Sequence, residues 1–136
     1  MSKSRVIVDT NLWVSFLITK SHQVFERRIS ENRIALIFSE ELILELVEVL
    51  NRPKFSRYFS KEDIENLLLI IENISELIIC TSRTRVCRDE KDNFLLDLAK
   101  DGQADYLITG DNDLLVLKNF DGTQIIRFSE FEQLFS

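Results

Sequence analysis

Val6, Ile7 and Val8 are three β-branched residues in a row, and the run stops at a carboxylate, Asp9. A strand with one wet face alternates apolar and polar residues. This run does not alternate, so it reads as a strand covered on both faces. The pattern returns in Tyr106-Leu107-Ile108-Thr109, with Asp111 just beyond Gly110. Ile34 to Phe38, Leu77 to Cys80 and Gln124 to Phe128 are further strand candidates.

Helical patterns fill the intervals. A short helix is expected through Leu12 to Leu17, and a second from Ser21 as N-cap, carrying Val24, Phe25 and Arg28. Ser39 caps a strong helix with Glu40 and Glu41 in its first turn, where the helix dipole favours carboxylates. Its apolar stripe is Ile43, Leu46, Val47 and Leu50, and Pro53 ends it or begins the next short turn. Ser60 with Asp63 forms a capping-box pattern before a helix from Lys61 to about Ser75. Asp92 to Lys100 reads as a helix ended by Gly102, and Ser129 with Glu132 as the start of a terminal helix. Residues 81–89 form a polar, basic loop.

Strands alternating with helices predict an α/β fold with a mainly parallel sheet. With 136 residues, 3 glycines and 1 proline, the chain fits a single domain, residues 1–136, built from long regular elements. The charge balance is 17 Lys+Arg against 23 Asp+Glu, a net −6. Phosphate-coating proteins are usually basic overall, so a nucleic-acid site here must be local or bridged by cations. Cys80 and Cys87 make neither a disulfide framework nor a zinc set. That suits a reducing, cytoplasmic setting, and no apolar run suggests a signal peptide or a membrane span.

In a doubly wound sheet the working site lies outside the carboxyl ends of the strands. Asp9 and Asp111 stand at such ends, Asp113 follows, Asp92 opens a helix and Glu45 lies mid-helix beside Glu41, Glu48 and Arg52. Gathered carboxylates repel one another and resist joint ionisation; Mg²⁺ or Mn²⁺, which prefer oxygen ligands, relieve this. Such a site suits metal-assisted phosphodiester cleavage. Read singly, each acid has a plainer use. Strand-end aspartates cap helices or solvate loops, Asp92 suits an N-cap, and Glu45 and Glu48 fit a solvated helix face equally well.

Four stretches, in order, carry a family resemblance: VIVDTNLWVS, SEELILELVEVLNRPKF, CRDEKDNFLLDLA and ADYLITGDNDLL. Together they span nearly the whole chain and resemble the PIN-domain family, in particular members that are toxins of toxin–antitoxin pairs. The resemblance implies a three-layer α/β/α sandwich with a mainly parallel sheet, and a Mg²⁺- or Mn²⁺-dependent endoribonuclease that leaves a 3′-hydroxyl and a 5′-phosphate. It matches the family's acids to Asp9, Glu45 (deciding against Glu48), Asp92 and Asp111, with Asp9, Asp92 and Asp111 as metal ligands. Asn11, Thr109 and Asp113 match its auxiliary positions. Glu90 stands where relatives often carry Pro, which removes no ligand. The implied partners are RNA, a cognate antitoxin and a second copy of the chain.

Basic residues flank two of these acids in sequence, so RNA contacts are expected at Arg52, Lys54, Arg85 and Arg88. Trp13 suits the core better than a base-stacking role, Tyr58 is a candidate for stacking, and His22 reads as a surface residue. Five successive apolar residues, Leu67 to Ile71, imply a helix buried on two sides or reaching a partner. Other strand-end-aspartate folds fit less well. A haloacid-dehalogenase-type enzyme needs a second Asp where Asn11 stands, and a receiver domain needs a Lys after a last strand that here reads TQIIRFS. A non-catalytic RNA- or partner-binding module, and an RNA-processing nuclease without an antitoxin, remain as alternatives.

Overall fold

Val6, Ile7 and Val8 are each at most 1 % exposed, although successive residues point to opposite faces of a strand. Both faces of the central strand are therefore covered, as the absence of alternation predicts. The structure is a computed structural model that describes residues 3–20, 23–85 and 92–134. Among the described residues its sheet has six strands: β1 (Ser4–Val8), β2 (Ile34–Phe38), β3 (Ser75–Leu77), β4 (Tyr106–Ile108), β5 (Asn119–Phe120) and β6 (Thr123–Ile126). The helices are α1 (Thr10–Thr19), α2 (Gln23–Ser30), α3 (Glu40–Leu50), α4 (Lys61–Ile74), α5 (Asn93–Asp101), α6 (Asn112–Leu115) and α7 (Phe128–Leu134), with a 3-10 turn at Pro53–Phe55.

The strands lie in the order β3-β2-β1-β4-β6-β5, parallel except for β5. From β1 the chain builds outward through β2 and β3, then returns to β1's other side to place β4. The order thus reverses between β1 and β4, and the crevice at the carboxyl ends of these two strands is where such sheets bind ligands. Val8 is level with Ile108, and Asp9 N–H continues the ladder to Ile108 O at 3.0 Å. Asp9 and Thr109 therefore leave the sheet side by side.

The caps act as the sequence indicates at two helices. Ser39 Oγ, fully buried, accepts from Leu42 N–H, and Ser60 with Asp63 forms a complete capping box. Ser21 and His22 lie outside the described residues. The third strand differs from expectation. Helix α4 passes into β3 at Ser75 without a loop, and Leu77 and Ile79, expected in a strand over 77–80, are exposed instead. The apolar run of α4 divides: Ile71 is buried and Leu67 packs on the core, while Leu69 and Ile70 face outward. The terminal helix begins at Phe128, before Ser129, and it is Glu130, not Glu132, that reaches back to accept from Arg127 N–H. The last strand ends at Ile126 for the same reason. Two elements lacked a sequence assignment, the single turn α6 and the short strand β5, which forms a hairpin with β6. Asp121 and Gly122, both at positive φ (50° and 87°), form the two-residue turn of that hairpin.

Gly102 caps α5 with an ordinary negative φ of −87°, so its role is not a left-handed turn. A Cβ there would stand 2.8 Å from Leu98 O, 3.1 Å from Ile37 Cγ2 and 3.3 Å from Ile78 Cγ1, whereas one at Gly110 would meet nothing within 4 Å. Gly102→Ala is expected to lower unfolding free energy by about 1–3 kcal/mol through overpacking. Gly110→Ala should stay within about 0.5 kcal/mol. Urea denaturation checks both, and equal effects would show that close approach does not explain Gly102.

Candidate active site

Asp9 is the N-cap of α1 and is 7 % exposed. Its Oδ2 accepts a hydrogen bond from Thr109 Oγ1 at 2.7 Å, across the β1–β4 junction. The Thr109 hydroxyl in turn accepts from Asp111 N–H at 3.0 Å, and Asp111 Oδ1 accepts from Asp113 N–H at 2.9 Å. One hydroxyl thus ties the ends of both central strands together. Thr109 is fully buried, so its bonds are shielded from water.

Glu45 projects from α3, which packs against α1. Burial raises the Asp9 carboxyl above the usual carboxylate range; the Thr109 bond pulls it down in part, and the Asp111 charge pushes it up again. Burial also raises Glu45, with further upward pressure from Asp9 and Glu48 and relief from Arg52. The Thr10 hydroxyl lowers Glu45 in part, although it closes no hydrogen bond of ordinary geometry. Both acids are therefore held where the charged form is disfavoured. Glu48 differs: its side chain is largely exposed and lies 3.8 Å from Arg52 Nη2.

An open cleft of about 750 Å³ is lined by Asn11, Glu45, Glu48, Arg52, Asp92 and Asp111 among others, with Leu44 and Phe94 as apolar wall. Asp92 makes no side-chain cap hydrogen bond to α5, so the plain capping role does not account for it. Glu45, Asp92, Asp111 and Asn11 thus share one cleft, with Asp9 bonded to Thr109 and electrostatically coupled to Asp111 and Glu45. Among the described residues, no group of three or more carboxylate, imidazole or thiol side chains is drawn tightly enough to hold an ion as it stands. The donors are nevertheless all oxygen and mutually repelling, a set whose chemistry fits a hard divalent cation.

Of the basic residues expected at RNA, Arg52 lines the cleft. Lys54 stands over the Phe55 ring on the 3-10 turn, Arg85 is exposed, and Arg88 lies outside the described residues, as does Cys87. Trp13 is core, stacked on Phe38. Burial pushes the Cys80 thiol up to about 11, which leaves it unreactive at neutral pH. Sequence reasoning passed over two acids of α5. Asp97 accepts from Thr84 N–H, and Asp101 from Thr81 N–H, Ser82 N–H and Ser82 Oγ. Standing four apart on one helix face, they strap the segment 81–84 down on the helix that Asp92 opens. Thr10 was passed over too; nothing in a single Thr beside an Asp marks it in sequence.

The chain belongs to the PIN-domain family, whose model matches residues 5–113. It is 31% identical over 121 residues to an uncharacterised protein, MJ1680, of Methanocaldococcus jannaschii, covering 86% of this chain and 77% of that one. Two solved structures are similar in fold. One is VapBC2 from Rickettsia felis bound to a DNA fragment from its promoter, with TM-score 0.57 and 16% identity over 89% of this chain and 96% of that chain. The other is PAE2754 from Pyrobaculum aerophilum, with TM-score 0.53 and 15% identity over 96% of this chain and 89% of that chain.

A carboxyl whose native pKa exceeds its unfolded value contributes full stability below the unfolded value and loses it as pH rises through the native value. Asp9 and Glu45 are of this kind. In EDTA, Asp9→Asn is expected to raise the melting temperature near neutral pH, since Asn still accepts from Thr109. The gain should shrink as pH falls through the raised native value of Asp9. Calorimetry across that range checks it; a gain that grew on acidification would mean the anion is favoured.

Proposed function

We propose that this PIN domain is a Mg²⁺- or Mn²⁺-dependent endoribonuclease that hydrolyses RNA phosphodiester bonds. The observation that carries the reading is the convergence of Glu45, Asp92 and Asp111 on one cleft at the sheet's switch point, with Asp9 coupled to them at the β1 end. Asp9, Asp92 and Asp111 would hold the cation directly or through water, with Glu45 as a further ligand or as the group that orients water. The cation supplies Lewis-acid polarisation of the phosphate and a more acidic attacking water.

The chain's own residues do the rest. Thr109 fixes one oxygen of Asp9, and the Asp113 amide fixes one of Asp111, so both carboxylates present a defined face. Asn11 adds a neutral polar group to the rim. Arg52 offers a guanidinium to RNA phosphate in an otherwise acidic cleft, with Lys54, Arg85 and Arg88 as further backbone contacts.

Within this reading the protein works in the cytoplasm as a homodimeric toxin regulated by an antitoxin. The fold-level likeness to VapBC2 supports an antitoxin partner, and exposed Leu69, Ile70 and Leu77 offer apolar surface for a protein contact. Among the described residues, no helix is long and apolar enough to cross a membrane. The competing reading is a module that binds RNA or a partner without cutting.

Labelled single-stranded RNA, incubated with Mg²⁺, Mn²⁺ or EDTA, separates the two. Cleavage should require the metal and weaken steeply with salt. Asp9→Asn and Asp111→Asn should each lower it by roughly 10–100-fold or more. Glu45→Gln should impair cutting where Glu48→Gln is nearly silent; equal damage would undo the choice of Glu45. RNA retention without metal-dependent cutting would favour the binding module.

A further inference from the structure

Thr10 is 1 % exposed, and among the described residues its hydroxyl closes no hydrogen bond of ordinary geometry. Buried hydroxyls are normally paired, because leaving one unpaired sacrifices the water it gave up. Elsewhere in the chain the usual remedy is in place. Thr19 Oγ1 donates to Ser15 O at 2.9 Å, and Ser75 Oγ to Ile71 O, each four residues back along a helix. Thr10 has no such recourse. It is the first residue of α1, and the residue four positions before it, Val6, belongs to β1. A valine would fill the same space without the unpaired group, so the threonine is locally inconsistent with stability alone.

Helix α1 packs against α3, and Asn11, the next residue after Thr10, lines the acidic cleft together with Glu45; the Thr10 hydroxyl also acts on the Glu45 carboxyl as a side-chain hydrogen-bonding group that lowers it. The other central strand end shows the completed version of this arrangement, where Thr109 Oγ1 donates to Asp9 Oδ2 at 2.7 Å. We propose that Thr10 is a positioning residue for Glu45, a buried donor held open beside that carboxylate to orient it when the cleft takes up a divalent cation. This rests on the metal-dependent reading above. Thr10 touches neither RNA nor cation; it acts by fixing which oxygen of Glu45 is left for the cleft.

The test is Mn²⁺ affinity of the RNA-free protein, read by electron paramagnetic resonance of unbound Mn²⁺, together with melting in EDTA. Thr10→Val should melt at or above the wild-type temperature yet bind Mn²⁺ roughly 10–100-fold more weakly, while Thr10→Ser stays within about 3-fold of wild type. Adding Thr10→Val to Glu45→Gln should weaken binding no further than Glu45→Gln alone. Wild-type affinity in Thr10→Val, with Glu45→Gln weakened, would overturn the role of Thr10 and leave the metal site standing. Wild-type affinity in both Glu45→Gln and Asp9→Asn would bring down the metal-site reading and Thr10's role with it. Equal losses in Thr10→Val and Thr10→Ser, with lowered melting, would mark Thr10 as merely structural.

Discussion

The bond from Thr109 Oγ1 to Asp9 Oδ2 joins the ends of β1 and β4 at the point where the sheet reverses its order. It exists because the two strands are parallel and in register, Val8 beside Ile108, so the residues that follow them emerge together. Helices α1 and α6 then start at once from Asp9 and Asp111, which act as their N-caps. The helix starts point backbone amides at the same region, and amides favour negative charge. Carboxylate, hydroxyl and helix end are thus one construction.

That construction works against stability. Burial raises both Asp9 and Glu45, and each is further raised by a neighbouring acid. A fold selected only for stability would place neutral or apolar residues there. The compensation lies around the site, in a core of fully buried Ile, Leu and Phe side chains from β1, β2, α3 and α5. A perturbed acid lining a cleft, as Glu45 does, with the perturbed Asp9 coupled to it at the β1 end, is a common mark of working groups, and here it coincides with the family's PIN fold.

Charge is distributed in keeping with this. The chain carries a net −6, yet Arg52 stands inside the acidic cleft, where it relieves Glu45 and lies 3.8 Å from Glu48. Asp97 and Asp101, by contrast, are acids whose oxygens are taken up by the amides of the segment 81–84. Acids that look alike in composition therefore do different work: some are satisfied by hydrogen bonds from backbone amides, and some are left to repel.

Much of the fold was legible because its causes are local. Runs without alternation marked the doubly covered strands, Ser39 and Ser60 marked helix starts by the hydrogen bonds their hydroxyls make, and the strand-end positions singled out Asp9 and Asp111. The Asp121-Gly122 turn was equally local in cause, and its hairpin went unassigned only because its strand β5 is two residues long. The boundary of β3 and the start of α7 were set by packing and by Glu130 rather than by the apolar runs themselves. Choosing Glu45 over Glu48 was beyond helical periodicity, since both lie on the cleft side of α3; the tertiary structure separates them by exposing Glu48 and turning Glu45 toward Thr10 and Asp9. The sequence alone determined the longer strands and helices and which acids end strands, because those depend on neighbours along the chain. Which acids feel one another's charge, and that Thr10 closes no hydrogen bond of ordinary geometry among the described residues, was decided only by folding, because burial and repulsion act through space between residues far apart in sequence.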